Sequence, residues 1–507
     1  MKRLTRLGDI ALVGGSLACV MSFGFLVWRH GLALHYLNLL GVAVGLAVGL
    51  RLSASHRINL ALCLLSTIIA LYSAEVLLAY SSSVLNHPSA TVWLDFPQDA
   101  NARVAAERVN REKQANKKFD TRSRLEVVHE FRAHGIMVYP DVFPTVLFAP
   151  GPGTSIRSIF TSDRGEVLPL SGPANTTTVF CNESGEYLVY ESDEHGFHNP
   201  RGIWQKGSAD IVALGDSYAH GVCVSSEHSF VGVIRSQYPA TINLGINGDG
   251  PLAMLATLKE YGLSLKPKVV LWFYYEGNDL RDLDTREKNS PLLMNYLKPS
   301  FSQGLLEHQS EIDQMLKSYL ETAMASVTSQ ASFESIMKIQ HLRQAVYDLY
   351  SRRPSQQGLS AELIDHFTLM GSPATSDDLM LFQRTLAEAQ RSVSPWGGKV
   401  VVVYLPTWER YRIPELASQD RDRILTMAKE LGMPVLDLHP AVSAHPDPLS
   451  LFPFRRYAHY NEEGHKLVGE EVVKQLRQLQ LVEEANKRMG VSQHSYGVGR
   501  SSKFQGF

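Results

Sequence analysis

Three long apolar runs, Ile10 to Trp28, Gly31 to Leu50 and Ile58 to Tyr80, fill most of the first eighty positions. Each approaches the ~20 residues that carry an α-helix across a bilayer. A cleaved signal peptide has a single, shorter apolar core, so the pattern predicts three transmembrane helices over residues 1–84. Glu75 falls near the outer end of the third run, within reach of the interface. Beyond about Ser81 the chain reads as a linker. A helix is expected between Asp120 as N-cap and Gly135 as stop, followed by short β-like runs. Asn182 to Gly185 reads as a hairpin turn, and the polar stretch Ser192 to Pro200 as a surface loop. Residues 85–207 are therefore expected to form a linker and a small α+β extension.

After Ser208 the pattern becomes a regular alternation. ADIVALG, ATINLGI, PKVVLWFYYEGND, GKVVVVYLPT and MPVLDL read as five strands. Helical segments are expected after Tyr218, over LAMLATLKEYGLSL and RDRILTMAKELG, and from Asn461 onward. Strands that are apolar throughout and alternate with helices predict a parallel sheet covered on both faces. Residues 208–484 make up this α/β domain, interrupted at about 285–395 by a helical insertion, and 485–507 form a polar, mobile tail.

Charge and cysteine content sharpen this outline. A net charge of −2 offers no basic field for nucleic acid. Lys2, Arg3 and Arg6 precede the first apolar run, and Arg51 and Arg57 separate the second and third. The positive-inside rule then places the N-terminus in the cytoplasm and the bulk of the chain outside the cytoplasmic (inner) membrane, on the periplasmic side. Cys19 and Cys63 lie in apolar runs, whereas Cys181 and Cys223 are the pair in the remainder and form a candidate disulfide for an oxidising compartment. No cysteine or histidine spacing indicates a metal site, and no cofactor is expected.

Ligands of open α/β sheets bind beyond the carboxyl ends of the strands. Four polar clusters fall at such ends: Gly215-Asp216-Ser217, Gly245 to Gly250, Gly277-Asn278-Asp279, and Arg456 to Gly464. In this order they resemble the four blocks of the SGNH/GDSL hydrolases, over roughly residues 210–481. The resemblance implies a flavodoxin-like three-layer fold with a five-stranded parallel sheet. It implies Ser217 as nucleophile and His459 as base. Gly248, with Gly245 as the alternative, and Asn278 would be oxyanion-hole donors. His465 is set aside as a surface residue of the closing helix. An aspartate usually stands shortly before the family's histidine, but Arg456 and Tyr457 occupy those places here. The imidazole would then be oriented by a backbone carbonyl, by Asp447 or by Asp437.

By resemblance the expected function is a membrane-anchored, extracytoplasmic serine esterase acting on an acylated carbohydrate or another ester. Two alternatives stay open: an O-acyltransferase drawing on a membrane acyl-donor partner, and a degenerate, non-catalytic SGNH binding module.

Overall fold

The computed structural model describes residues 50–84, 120, 122–337, 374–414, 420–455 and 459–482, with scattered positions between 9 and 49. It divides into two compact units, Met1–His87 with Thr328–Pro354, and Pro88–Val327 with Ser355–Phe507. In the first unit, Ala54–Val84 is a 31-residue helix containing the third apolar run, with Cys63 exposed. Among the described residues no helix is long and apolar enough to cross a membrane. Most of the first two runs, the side chain of Glu75, the linker up to residue 119 and the tail lie outside the described residues.

The second unit is organised by a five-stranded sheet. Its strands are β1 (Ile211–Leu214), β2 (Thr241–Asn243), β3 (Val269–Tyr275), β4 (Lys399–Leu405) and β5 (Val435–Asp437). Every pairing is parallel and the spatial order is β2-β1-β3-β4-β5, the doubly wound order of flavodoxin-like sheets. Alternate residues enter two separate cores. Val212, Leu214, Val270, Trp272, Tyr274, Val402 and Tyr404 face one side. Ile211, Ala213, Leu271, Phe273, Val401 and Val403 face the other. Both faces are buried because helices cover both, which is why the strands read as unbroken apolar runs.

Helices of this unit that frame the sheet and its edge include α1 (Ser217–His220), α2 (Phe230–Gln237), α3 (Pro251–Thr257), α4 (Asp279–Thr285), α5 (Ser376–Val393), α6 (Arg421–Glu430) and α7 (Glu462–Leu479). Helices α3, α5 and α6 send Leu252, Phe382, Leu386 and Ile424 into the first core. Helices α2 and α7 send Phe230, Ile234, Val468 and Val472 into the second. Each large side chain buried this way contributes roughly 1.5–3 kcal/mol. The expected helix after Tyr218 is instead split in two. Gly221 ends α1 in the left-handed region at φ 83°, and α2 begins only when Ser229 caps it by accepting from Gly232 N–H at 3.0 Å. Of the insertion, the structure describes the helices Pro291–Asn295 and Gln309–Met337 and the whole of α5, while 338–373 lie outside the described residues.

The extension contributes the helix Arg124–Ala133 and a sheet in which Thr177–Val179 lies between Val138–Pro140 (parallel) and Val189–Glu191 (antiparallel). The helix is capped by Ser123 in a reciprocal box with Glu126, not by Asp120, whose carboxylate pairs with Arg122. The turn Asn182–Gly185 does join two strands. The stretch Ser192 to Pro200 departs from expectation, because Ser192, Asp193, His198 and Asn199 are buried. The reason is Asp193, whose carboxylate accepts the N–H of His195 and Phe197, the Asn199 amide and the Trp204 indole. Asn199 in turn ties the segment to Asn243 at the end of β2 and to Arg235 of α2. A polar segment is buried at low penalty once its polar groups are paired.

Gly196 closes this loop at φ 86°, and a Cβ there would fall 1.8 Å from the carbonyl oxygen of Gly172. Gly196→Ala combines left-handed strain with a backbone clash, so it should destabilise the fold by roughly 2–5 kcal/mol. A urea unfolding midpoint equal to that of the parent would refute the tight approach.

Candidate active site

Strand β1 delivers its chain to the carboxyl edge beside the point where strand order reverses, and the turn there is set by Asp216. Its carboxylate accepts Tyr218 N–H at 2.9 Å and caps α1, which leaves Ser217 as the first helical residue, 6 % exposed. His459 approaches from the loop before α7. Asn461 fixes that loop by accepting Gly464 N–H at 3.0 Å and donating to Ser450 O at 2.7 Å. Tyr460, fully buried, donates to Pro406 O at 2.6 Å. Held so, His459 Nε2 lies 2.8 Å from Ser217 Oγ.

The other ring nitrogen meets a carboxylate from neither expected source. His459 Nδ1 lies 2.8 Å from Glu183 Oε1, and the His459 backbone N–H donates to Glu183 Oε2 at 2.9 Å. An ionised carboxylate only accepts, so Nδ1 carries the proton and Nε2 is left to accept from the Ser217 hydroxyl. Asp447 is engaged by Arg455. Asp437 pairs with Arg421 and accepts His439 N–H at 3.1 Å. Neither carboxylate touches His459; each is occupied by a local cation. Arg456 and Tyr457 lie outside the described residues.

Glu183 sits in the turn of the extension's hairpin. Cys181 and Cys223 are joined as a disulfide, with Cα atoms 5.4 Å apart, and Glu183 N–H donates to Cys223 Sγ at 3.1 Å. The acid was passed over in the sequence because it lies 276 residues from His459. The usable signal was the cysteine pair: bridging 181 to 223 brings residue 183 close to Ser217.

The two oxyanion candidates lie on the loops after β2 and β3. Gly248 adopts φ 77°, where a side chain is strained, and a Cβ would meet Thr145 Oγ1 at 2.6 Å. Its carbonyl accepts from Thr145 Oγ1 at 2.9 Å and Arg286 Nη2 at 3.0 Å. Its N–H has no partner among the described residues. Gly245 N–H, by contrast, is spent on Asn243 Oδ1 at 2.9 Å, which favours Gly248 as the donor. Asn278 is half-buried at the start of α4, with Oδ1 buried and unpartnered. Thr145 and Arg286 carried no signal in sequence.

Burial sets the charge of the surroundings. It opposes protonation of His459, but the charge and hydrogen bond of Glu183, together with Asp216, outweigh it and hold the imidazole pKa above its usual 6.5. Burial raises Asp216 to about 6, and drives Asp249 and Asp279 well above the carboxylate range. It lowers His198 to about 4 and holds His220 well below its usual 6.5. His220 is thereby neutral, and its Nδ1 accepts Asn247 N–H at 3.0 Å, steadying the Gly248 loop. Among the described residues no group of three or more His, Cys, Asp or Glu could hold a metal ion.

His465 is not a surface residue. It is fully buried where α7 packs on α2, stacks on Phe230 and accepts Phe230 N–H at Nδ1, 3.1 Å away.

No family model matches the chain, and no curated protein matches it. Among solved structures, a putative lipolytic protein of the G-D-S-L family from Desulfitobacterium hafniense DCB-2 is 15% identical, covering 52% of this chain and 97% of that one, with a TM-score of 0.28. A lipase/acylhydrolase from Enterococcus faecalis is 15% identical over 54% of this chain and 96% of that one, with a TM-score of 0.29. A two-domain esterase active on acetylated mannans is 14% identical over 55% of this chain and 52% of its own, with a TM-score of 0.27. At these identities and TM-scores the likeness adds no argument to the geometry.

Burial lowers the His465 pKa to about 3. The unfolded chain takes up a proton there below about 6.5, whereas the folded chain does not, so this histidine weakens stability as pH falls. The stability deficit of His465→Asn relative to the parent should therefore shrink by roughly 2 kcal/mol between pH 8 and pH 5. Urea titrations at the two pH values would expose a charged His465 by a deficit that does not change.

Proposed function

We propose that the chain is a serine esterase of the SGNH/GDSL type, an O-acyl hydrolase anchored in a membrane with its α/β domain on the extracytoplasmic side. One observation carries the catalytic reading: Ser217, His459 and Glu183 form a continuous hydrogen-bonded line at the carboxyl edge of a parallel sheet. A serine hydroxyl becomes an effective nucleophile when an adjacent base removes its proton, and a third group that orients the base completes the arrangement.

In the acylation step Ser217 Oγ attacks the acyl carbon while its proton passes to His459 Nε2. Glu183 keeps the ring in register and stabilises the imidazolium. The carbon–oxygen bond to the alcohol then breaks, and His459 returns the proton to the departing oxygen. Water, deprotonated by His459, attacks the acyl-Ser217 ester; the bond from Ser217 Oγ to the acyl carbon breaks, His459 returns the proton to Oγ, and the carboxylic acid is released. Negative charge on the tetrahedral intermediate would be met by the N–H groups of Ser217 and Gly248 and by the Asn278 amide. The two hydrogen bonds accepted by the Gly248 carbonyl support this assignment, because they hold the residue in its loop while its own N–H has no partner among the described residues.

The substrate class proposed is an O-acylated glycan, on the strength of the sequence resemblance alone. Anchorage is supported by the three apolar runs and by the placement of Lys and Arg between them. An extracytoplasmic domain is supported by the Cys181–Cys223 bridge, since such bonds persist in oxidising compartments.

The full chain should hydrolyse p-nitrophenyl acetate and be labelled at Ser217 by a fluorophosphonate. Ser217→Ala should remove labelling and lower kcat by roughly 10⁴-fold or more. A folded wild-type chain that neither labels nor turns over would sink the reading.

Glu183→Gln withdraws the charge that holds the His459 pKa up. The active form is neutral His459, which dominates above its pKa. The acid limb of kcat/KM should therefore move to lower pH, while kcat falls by roughly 10²–10⁴-fold. An acid limb that stays in place would exclude Glu183 as the charge partner. Asn278→Ala should lower kcat by about 10²–10³-fold with little change in KM, read from the same initial rates.

A further inference from the structure

We propose that the Cys181–Cys223 disulfide is the positioning element of the Glu183 carboxylate, so that turnover by this chain requires the bridge closed. This rests on the esterase reading above. It adds a redox requirement that the serine and histidine alone do not have.

The argument starts from where the acid stands. Glu183 lies in a turn at the tip of a hairpin whose paired strands are only three residues each, Thr177–Val179 and Val189–Glu191. A tip on such short strands has little intrinsic rigidity. Its local ties run back into the extension. Asn182 Nδ2 donates to Asp120 O at 2.8 Å, Asp120 N–H donates to Gly185 O at 2.8 Å, and Leu188 N–H donates to Cys181 O at 2.8 Å. None of these three reaches the loop that carries Ser217.

The bridge does reach it. Cys181 is two residues before the acid, and Cys223 is two residues past the glycine that ends α1. The bond spans 42 positions of chain. On the Ser217 side, Cys223 is held in the left-handed region at φ 63°, and its Sγ accepts the N–H of Glu183 itself. Phe180 and Val222, the neighbours of the two cysteines, are buried together in one small cluster with them. Covalent closure thus sets the acid's main chain against the nucleophile's loop before the carboxylate meets His459. With the bridge open, the tip keeps its ties to the extension and the Glu183–His459 contact but loses its covalent link to the Ser217 loop, and with it a restraint on its conformational freedom.

Opening is a two-electron step. A dithiol such as dithiothreitol supplies two electrons and two protons to the S–S bond. It leaves as its own cyclic disulfide, and Cys181 and Cys223 become thiols. The nucleophile and base stay in the chain; the acid loses its fixed place.

The test uses the full-length chain with p-nitrophenyl acetate. Cys181→Ala with Cys223→Ala should lower kcat by about 10- to 100-fold, the loss expected for a misplaced catalytic group, while KM changes little. The acid limb of kcat/KM should move to lower pH, as in Glu183→Gln. On the Glu183→Gln background, the same cysteine pair should cost less than about two-fold more, because both changes remove one interaction. Losses that multiply on the two backgrounds, or an unchanged kcat in the cysteine pair, overturn the proposal. If the double variant does not fold, the wild type is reduced, freed of dithiothreitol and assayed with its far-ultraviolet circular dichroism intact. Activity lost on reduction and restored on reoxidation supports the proposal, and activity indifferent to reduction overturns it. A labelled, active wild type that ignores its bridge defeats this proposal alone, whereas a wild type with neither labelling nor turnover defeats it together with the esterase reading.

Discussion

A carboxylate from the extension, set against the imidazole of a loop 276 residues further on, is the contact on which the site depends. Without it the His459 ring has no fixed tautomer, and Nε2 has no reason to present a lone pair to Ser217. Both carboxylate oxygens are used, one on the ring and one on the His459 backbone N–H. The acid therefore fixes the position of the loop as well as the direction of the ring. Glu183 is supported by a hairpin turn that precedes the α/β domain and by a disulfide that ties this turn to Cys223 within that domain. The extension is consequently part of the site and not an appendage to it.

The α/β sheet performs a different task. Two cores, one on each face, fix five parallel strands so closely that only their carboxyl-end loops are free to differ. Ser217 is placed by a two-residue turn that runs directly into a four-residue helix. The Gly248 loop is placed from several directions: His220 holds Asn247, and Thr145 and Arg286 hold the Gly248 carbonyl. Glu287 accepts the N–H groups of Gly250, Leu252 and Ala253, anchoring the start of α3. Thr145 again comes from the extension. The same segment that supplies the acid also braces the loop across from it.

Burial does the electrostatic work around the relay. The histidines His198, His220 and His465 are driven neutral, and Asp249 and Asp279 are driven toward their protonated forms. Burial thereby works against charge on these five groups, and Glu183 and Asp216 are the two acids that raise the imidazole pKa. A low-dielectric surrounding strengthens such a pair relative to the same groups in water.

From sequence alone, the alternating strands and helices, their order, and the edge at which Ser217, Gly248, Asn278 and His459 stand were all legible, because a period of two or 3.6 residues and a capping aspartate are local properties of the chain. The cysteine pair was visible as a pair but not as a bond. Three features were decided by tertiary structure. Ser192 to Pro200 looked like surface because its residues are polar; it is buried because Asp193 satisfies four donors. His465 looked like surface because it follows two glutamates; helix packing turned it inward. Asp447 and Asp437 looked close enough to orient His459, but Arg455 and Arg421 claim them. The acid that does meet the ring comes from a hairpin far away along the chain. No local pattern encodes such a meeting, since it exists only once a disulfide and two packed cores bring those segments together.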